Sequence, residues 1–147
     1  MELIVKHFNE LTTMELMEIY KLRNAVFVVE QGSVYQDVDG ADPHSYHLWF
    51  RDEDGIQAYL RVVPQNIKYA DASISRVISI KRRCGLASRL LREGMALAQE
   101  KFGAKRLIIS AQEHACPVYE KVGFVRTGYK YLEDCVPREQ MIWEAMP

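Results

Sequence analysis

Residues 72–103 constrain the fold of this chain more than any other stretch. The run from Ser73 to Ile80 sets Ile74, Arg76, Ile78 and Ile80 against Ser73, Ser75, Val77 and Ser79. That two-residue period predicts a strand with two distinct faces. A basic turn follows, Lys81-Arg82-Arg83-Cys84, with the single glycine Gly85. The turn opens into a helical pattern that places Leu86, Leu90 and Leu97 on one face, with Ala87, Leu91 and Ala98 beside it. Gly103 marks the helix end. The first N–H groups of such a helix have no intrahelical partner and lie at its partially positive end. A basic turn at that point is suited to an anionic ligand, foremost a phosphate.

By itself the turn is unspecific. The dinucleotide fingerprint G-x-G-x-x-G is absent, since only Gly85 is present, and so is the G-x-x-x-x-G-K-[ST] pattern. The competing reading is a surface β-to-α turn with solvated Lys and Arg.

A chain of 147 residues suits one domain with one proper core. Its formal net charge of −1 gives no support to a general nucleic-acid binder, which carries a basic excess. No apolar run approaches the ~20 residues of a membrane helix. The N-terminal residues lack the long apolar region of a secretory signal. Cys84, Cys116 and Cys135 are widely spaced, with no Cys-x-x-Cys pair. Neither a disulfide framework nor a zinc site is suggested, and a cytoplasmic protein with reduced thiols is expected.

Along the chain, 3–8 reads as a first strand. Thr12 and Glu15 form a capping box ahead of a helix expected to fill much of 13–30. Residues 31–43 look irregular. Strands are expected at 44–51 and 56–63 around the turn 52–55, and then at 73–80. After the long helix come a buried-type strand at 106–110, a short helix at 115–122 closed by Gly123, and two strands at 125–132 and 140–145 joined through Asp134 and Pro137. The order is β-α-β-β-β-α-β-α-β-β, an α/β (α+β) domain with a mixed sheet and helices on its faces.

A second motif lies at 115–124, Ala-Cys-Pro-Val-Tyr-Glu-Lys-Val-Gly-Phe, with Tyr119 on the short helix. Taken alone, Tyr119 reads as a packing tyrosine. Together the two motifs resemble those of the GNAT superfamily of acetyl-CoA-dependent N-acetyltransferases. Arg82-Arg83-Cys84-Gly85-Leu86-Ala87 matches its cofactor pattern Q/R-x-x-G-x-G/A, and Ala115 to Phe124 matches its second motif. The likeness covers essentially the whole chain and implies one GNAT-like domain over 1–147 with a mostly antiparallel sheet. Residues 20–31, 35–42 and 110–114 resemble the ElaA-type branch in particular. Two departures stand out: Gln112, where many family members carry Asn, and Pro117, which tends to open a helix at its first turn.

The resemblance implies acetyl transfer from acetyl-CoA to an amine by direct attack in a ternary complex, with no acyl-enzyme. Val77, Ile78 and Ser79 would bind the pantetheine arm through their backbone. Arg82, Arg83, Cys84, Gly85, Leu86, Ala87 and Ser88 would cradle the pyrophosphate, with Gln112 a further cofactor contact. A backbone N–H near Val77 would face the carbonyl oxygen. Tyr119 is the candidate general acid for the thiolate and Glu30 the candidate base for the amine. Tyr35, Asp39 and His47 are candidates for the acceptor site. The acceptor is a small-molecule or peptide amine, with no metal, nucleic acid or membrane involved; a homodimer is compatible with the sequence. A non-catalytic acyl-CoA sensor or a protein-interaction domain on the same fold is the alternative. A nucleotide-binding regulatory domain is a further one.

The remaining polar clusters are weaker. Asp37, Asp39 and Asp42 superficially resemble a calcium loop, but counting from Asp37 the glycine falls at position four and Leu48 at twelve. An EF-hand needs glycine at six and glutamate at twelve. An Asp/Gly turn with side-chain-to-backbone hydrogen bonds is expected instead. His7, His44, His47 and His114 show no ligand spacing, though His114 lies near Tyr119 in sequence. No activating base stands at a fixed spacing from Cys84 or Cys116.

Overall fold

The computed structural model describes residues 1–80 and 85–146. Lys81 to Cys84, which include the cradle candidates Arg82, Arg83 and Cys84, lie outside the described residues.

The elements follow the expected order. They are β1 (Glu2–His7), α1 (Thr13–Arg23), β2 (Tyr46–Asp52), β3 (Gly55–Val63), β4 (Ala72–Ser79), α2 (Leu86–Phe102), β5 (Arg106–Gln112), α3 (Cys116–Lys121), β6 (Val125–Glu133) and β7 (Val136–Glu144). The strands form one seven-stranded sheet in the order β1-β2-β3-β4-β5-β7-β6. Among the described strands only β4 and β5 pair in parallel, because α2 carries the chain from one to the other. No helix among the described residues is long and apolar enough to cross a membrane.

Helices cover both faces. On one, Leu86, Leu90, Leu91, Met95, Leu97 and Ala98 of α2 pack on Leu48, Leu60, Val62, Ile74 and Leu107 of the sheet, with Tyr119 and Phe124 at the margin. On the other, Ile19 of α1 and Phe27 pack on Trp49, Ile56, Tyr59 and Ile78. Gly94 lets α2 lie close to the sheet, since a Cβ there would meet Leu60 Cδ1 at 3.1 Å.

The capping box at Thr12 forms. Glu15 N donates to Thr12 Oγ1 at 3.1 Å, and Thr12 N donates to Glu15 Oε1 at 2.9 Å. Helical winding does run on through 13–30, but it changes character at Asn24. Residues Asn24–Glu30 form a wider π-helical segment, in which Gln31 N donates to Val26 O at 3.2 Å. Val26, Val28 and Val29 crowd this stretch, where β-branched side chains fit poorly into a regular α turn.

Two expectations are corrected. The last strand begins at Val136, not Gln140, and the join is a two-residue turn at Asp134 (φ 51°) and Cys135 (φ 65°). Pro137 is therefore inside β7, opposite Leu132. It is tolerated because pairing with β5 stops at Arg138, which leaves that side of Pro137 without a partner strand. The second correction concerns β4. Its alternation does not run through: Arg61 pairs with Ser75 while Tyr59 pairs with Ile78, so β4 carries an extra residue at Arg76–Val77. Ile74 and Val77 thus pack toward α2, while Ile78 joins the opposite core. Arg76 adopts φ 57°, a left-handed conformation that costs a side-chain-bearing residue about 1–2 kcal/mol.

Candidate active site

β4 and β5 pair only at Ala72–Leu107 and Ser73–Ile108. Beyond those two rungs the strands no longer pair, and the bulge at Arg76–Val77 bends β4 at this point. The edge of β4 beyond Ser73 and the edge of β5 beyond Ile108 flank a cleft lined by main chain. Val77, Ile78 and Ser79 lie on its β4 side. The side chains of Val77 and Ile78 are committed to the two cores, so what these residues offer the cleft is backbone.

The N-terminus of α2 closes one end. Gly85 precedes the helix at φ 70°, no side chain among the described residues caps it, and its carbonyl accepts from Arg89 N at 3.1 Å. The first turn contains no acidic residue. Leu86 and Ser88 are buried while Gly85 is exposed. An uncapped, acid-free helix start of this length suits a phosphate held by main-chain N–H groups. The described part of the cradle, Gly85 to Ser88, therefore fits the pyrophosphate of CoA.

Tyr119 lies on α3, buried, with its ring edge-on to Phe124 at 6.4 Å. Pro117 sits in the first turn of α3. The helix ends in a Schellman arrangement: Phe124 N donates to Tyr119 O at 3.1 Å and Gly123 N to Glu120 O at 3.0 Å. Gly123 takes φ 106° there, and Trp143 leaves little room for a Cβ. Burial pushes the Tyr119 hydroxyl up to about 12, with Arg138 drawing it down and Cys116 raising it. The side chain thus stays a proton donor throughout the neutral range.

Gln112, at the end of β5, donates from Nε2 to Gln31 Oε1 at 3.1 Å. The end of the first helical stretch is thereby brought to the end of β5. Glu30, the last residue of the π-helical segment, is exposed beside it in sequence.

The three aspartates do not form a simple Asp/Gly turn, although Asp39 Oδ1 does accept from Ala41 N at 3.1 Å. They enter a buried ionic network with three arginines. Fully buried Arg23 binds Asp37 (Nε–Oδ2, 2.7 Å) and Asp42 (Nη1–Oδ1, 2.7 Å). Fully buried Arg61 binds Asp39 at 2.7 Å and Asp42 at 3.0 Å, and donates from Nε to Ser75 Oγ at 2.7 Å. Arg76 binds Asp37 Oδ1 at 2.8 Å and Asp39 Oδ2 at 3.3 Å. Burial raises the Asp42 carboxyl, but the Arg23 fork and Arg61 outweigh it and hold the pKa below the usual range. Asp39 behaves alike under Arg61 and Lys68.

The acceptor candidates fall into this network. Tyr35 donates to Asp37 Oδ1 at 2.6 Å and lies under Arg76, whose Cζ is 5.6 Å from the ring centre. Asp39 is partly exposed but held by Arg61, Lys68 and Arg76. His47 requires correction: it has no exposed surface, so its ring is not open to an incoming acceptor. Asp42 O can only accept, so His47 Nε2 carries the hydrogen (3.2 Å), and Nδ1 accepts from Tyr59 Oη at 2.6 Å. Burial lowers the His47 pKa to about 4, keeping the ring neutral.

A further group was missed. Past the cleft, Ser110 Oγ is hydrogen-bonded to Tyr131 Oη, and Arg138 Nη1 donates to Ser110 O at 3.0 Å. Arg138 also approaches Glu133 at 3.4 Å. The period of β5 puts Ser110 and Gln112 on the face opposite Ile109 and Ala111, and that alternation was the available signal.

The GNAT acetyltransferase domain model matches residues 13–145. A UPF0039 protein of Schizosaccharomyces pombe is 36% identical, over 96% of this chain and 95% of that protein. The crystal structure of an acyl-CoA N-acyltransferase from Pseudomonas aeruginosa is similar at TM-score 0.87 and 33% identity, over 97% of this chain and 99% of that one. Escherichia coli ElaA is similar at TM-score 0.89 and 30% identity, over 97% and 99%. With the splayed β4–β5 pair and the uncapped helix at its end, this chain belongs to the GNAT acetyltransferase domain family.

Proposed function

We propose that the protein transfers an acetyl group from acetyl-CoA to an amine, by direct attack in a ternary complex. What supports this reading is the splayed β4–β5 pair, with the start of α2 following β4 and the buried Tyr119 on the short helix that follows β5.

Acetyl-CoA supplies an activated acetyl thioester. Main-chain N–H groups of Gly85 to Ser88 hold its pyrophosphate. Val77, Ile78 and Ser79 bind the pantetheine arm as an added strand would be bound, and the Val77 amide faces the carbonyl oxygen. Tyr119 holds its proton toward the departing sulfur. A hydroxyl at about 12 is a weak acid beside a thiol near ~8.5, and full proton transfer to sulfur runs uphill by about 5 kcal/mol. Tyr119 therefore works as a hydrogen-bond donor to the thiolate, and the proton that ends on sulfur comes from the attacking ammonium. Glu30 is the candidate base, supported by its neighbour Gln31, whose side chain meets Gln112 at the end of β5. The acceptor approaches over the open face of β5 to β7, where Gln112, Ser110, Tyr131 and Arg138 gather.

The test is release of free CoA thiol from acetyl-CoA across an amine panel, with acetylated products identified by mass spectrometry. Acetyl-CoA binding without thiol release for any amine or peptide would mark a sensor instead of a transferase.

A further inference from the structure

Arg76 is the only described non-glycine residue with positive φ that lies inside a strand; Asn66, Asp134 and Cys135 are in loops or turns. A bulge residue with φ near 57° is ordinarily glycine, because a Cβ opposes that conformation. Something outside the strand therefore holds it. Arg76 Nε meets Asp37 Oδ1 at 2.8 Å, while its Nη2 donates to Asp37 O at 2.9 Å and to Asp39 Oδ2 at 3.3 Å. Those acceptors cannot drift, because buried Arg23 and Arg61 grip the same two aspartates. Arg61 also holds Ser75, the residue just before the bulge.

The bulge has a second property. Ser75 and Ile78 have register partners on β3, and pairing with β5 ends at Ser73, so Arg76 and Val77 have no register partner on either neighbouring strand. The backbone at this point answers to the Arg76 side chain and not to the sheet.

We propose that Arg76 is a positioning residue: by anchoring to Asp37 and Asp39 it fixes the β4 bulge, and so sets the direction in which the Val77 amide meets the acyl carbonyl. The inference rests on the acyltransferase reading. It also makes the segment 31–41 part of the site, since the anchor points are on it.

Arg76→Ala and Arg76→Gly test this together. Both remove the guanidinium, but only glycine adopts the left-handed conformation freely. Losing one aligned oxyanion donor costs about 10²–10³ in turnover, so kcat should fall by about a hundredfold in Arg76→Ala. Arg76→Gly should retain roughly tenfold more turnover than Arg76→Ala, with the KM for acetyl-CoA moving little in either, because the effect falls on the carbonyl contact. Equal losses in the two variants, or a loss carried by KM, would overturn the proposal. If Arg76→Ala does not fold, Arg76→Lys, which keeps the charge without the fork, takes its place in the same comparison. Nuclear magnetic resonance of the unliganded proteins supplies an arm independent of turnover, the intraresidue Hα–HN contact at residue 76. The contact, strong at a φ near 57°, should weaken clearly in Arg76→Ala; an unchanged intensity in Arg76→Ala would overturn the anchoring. A wild-type protein that acetylates no amine would end the acyltransferase reading, while this arm still decides the anchoring.

Discussion

Gln112 Nε2 and Gln31 Oε1 meet at 3.1 Å across 81 positions of sequence, joining the end of β5 to the end of the first helical stretch. The bond is exposed, so Gln112→Ala should cost no more than about 1 kcal/mol of stability. If it holds the cleft mouth, kcat/KM for the amine should fall several-fold while the melting temperature barely moves. Steady-state kinetics beside thermal unfolding checks this.

Tyr119→Phe should keep acetyl-CoA affinity by calorimetry and lose about 10²-fold or more in turnover, the usual scale for one lost hydrogen-bond donor to developing charge. Because burial raises the hydroxyl to about 12, no inflection of the rate between pH 6 and 9 should belong to it. A neutral-range inflection present in the wild type and absent in Tyr119→Phe would contradict the assignment.

Gly85→Asp and Gly85→Asn separate charge from shape at the start of α2. Asn and Asp both tolerate φ near 70° better than other side chains. The aspartate variant should lose acetyl-CoA binding, since a carboxylate at a helix N-terminus competes with the phosphate. The asparagine variant should retain most of it. Equal affinities by calorimetry would take the phosphate away from this helix end.

Asp42→Asn should be severely destabilising. It strips the shared carboxylate from Arg23 and Arg61, both without exposed surface. Removing one member of a buried ion group typically costs about 3–5 kcal/mol. Urea unfolding measures it, and a cost under 1 kcal/mol would show that the two guanidinium groups find other partners.

His47 predicts an acid limb. Its folded value of about 4 lies below the ordinary 6.5, so the unfolded chain binds the extra proton between those pH values. The stabilisation is complete above pH 6.5 and is lost as pH falls toward 4, amounting to about 3 kcal/mol. The carboxylates of Asp39 and Asp42 are held low by their arginines, and their losses come at lower pH still. Urea midpoints between pH 4 and 7 should therefore fall steeply in the wild type and more gently in His47→Gln.

Local signals explain what was legible in the sequence. The box at Thr12 and Glu15, the apolar face of α2 and the Gly123 closure each depend on residues a few positions apart, and each formed. The order of elements followed from the same periodicities. The β4 bulge was invisible because its cause is distant: Arg76 reads as one more residue on the Ile74–Ile78–Ile80 face of an alternating strand until Asp37 and Asp39 stand beside it. The ionic network was hidden for the same reason. Arg23, Arg61 and Arg76 come from α1, β3 and β4, and only the tertiary fold gathers them around one loop. His47 looked accessible because the polar face of a strand normally meets water, whereas here that face lies under Asp42 and Tyr59. The arrangement of Ser110, Tyr131 and Arg138 depends on pairing between β5, β7 and β6, which no local pattern specifies.

The two-rung seam between β4 and β5 divides the sheet into unequal territories. α2 leans mainly on β2, β3 and β4, which with β1 make up the first. β5, β6, β7 and α3 form the second, which carries Tyr119, Gln112, Ser110 and Arg138. Only two rungs join the halves as a ladder, so what couples them is side-chain packing: α2 touches α3 and shares a core with Leu107, Ile109 and Tyr119.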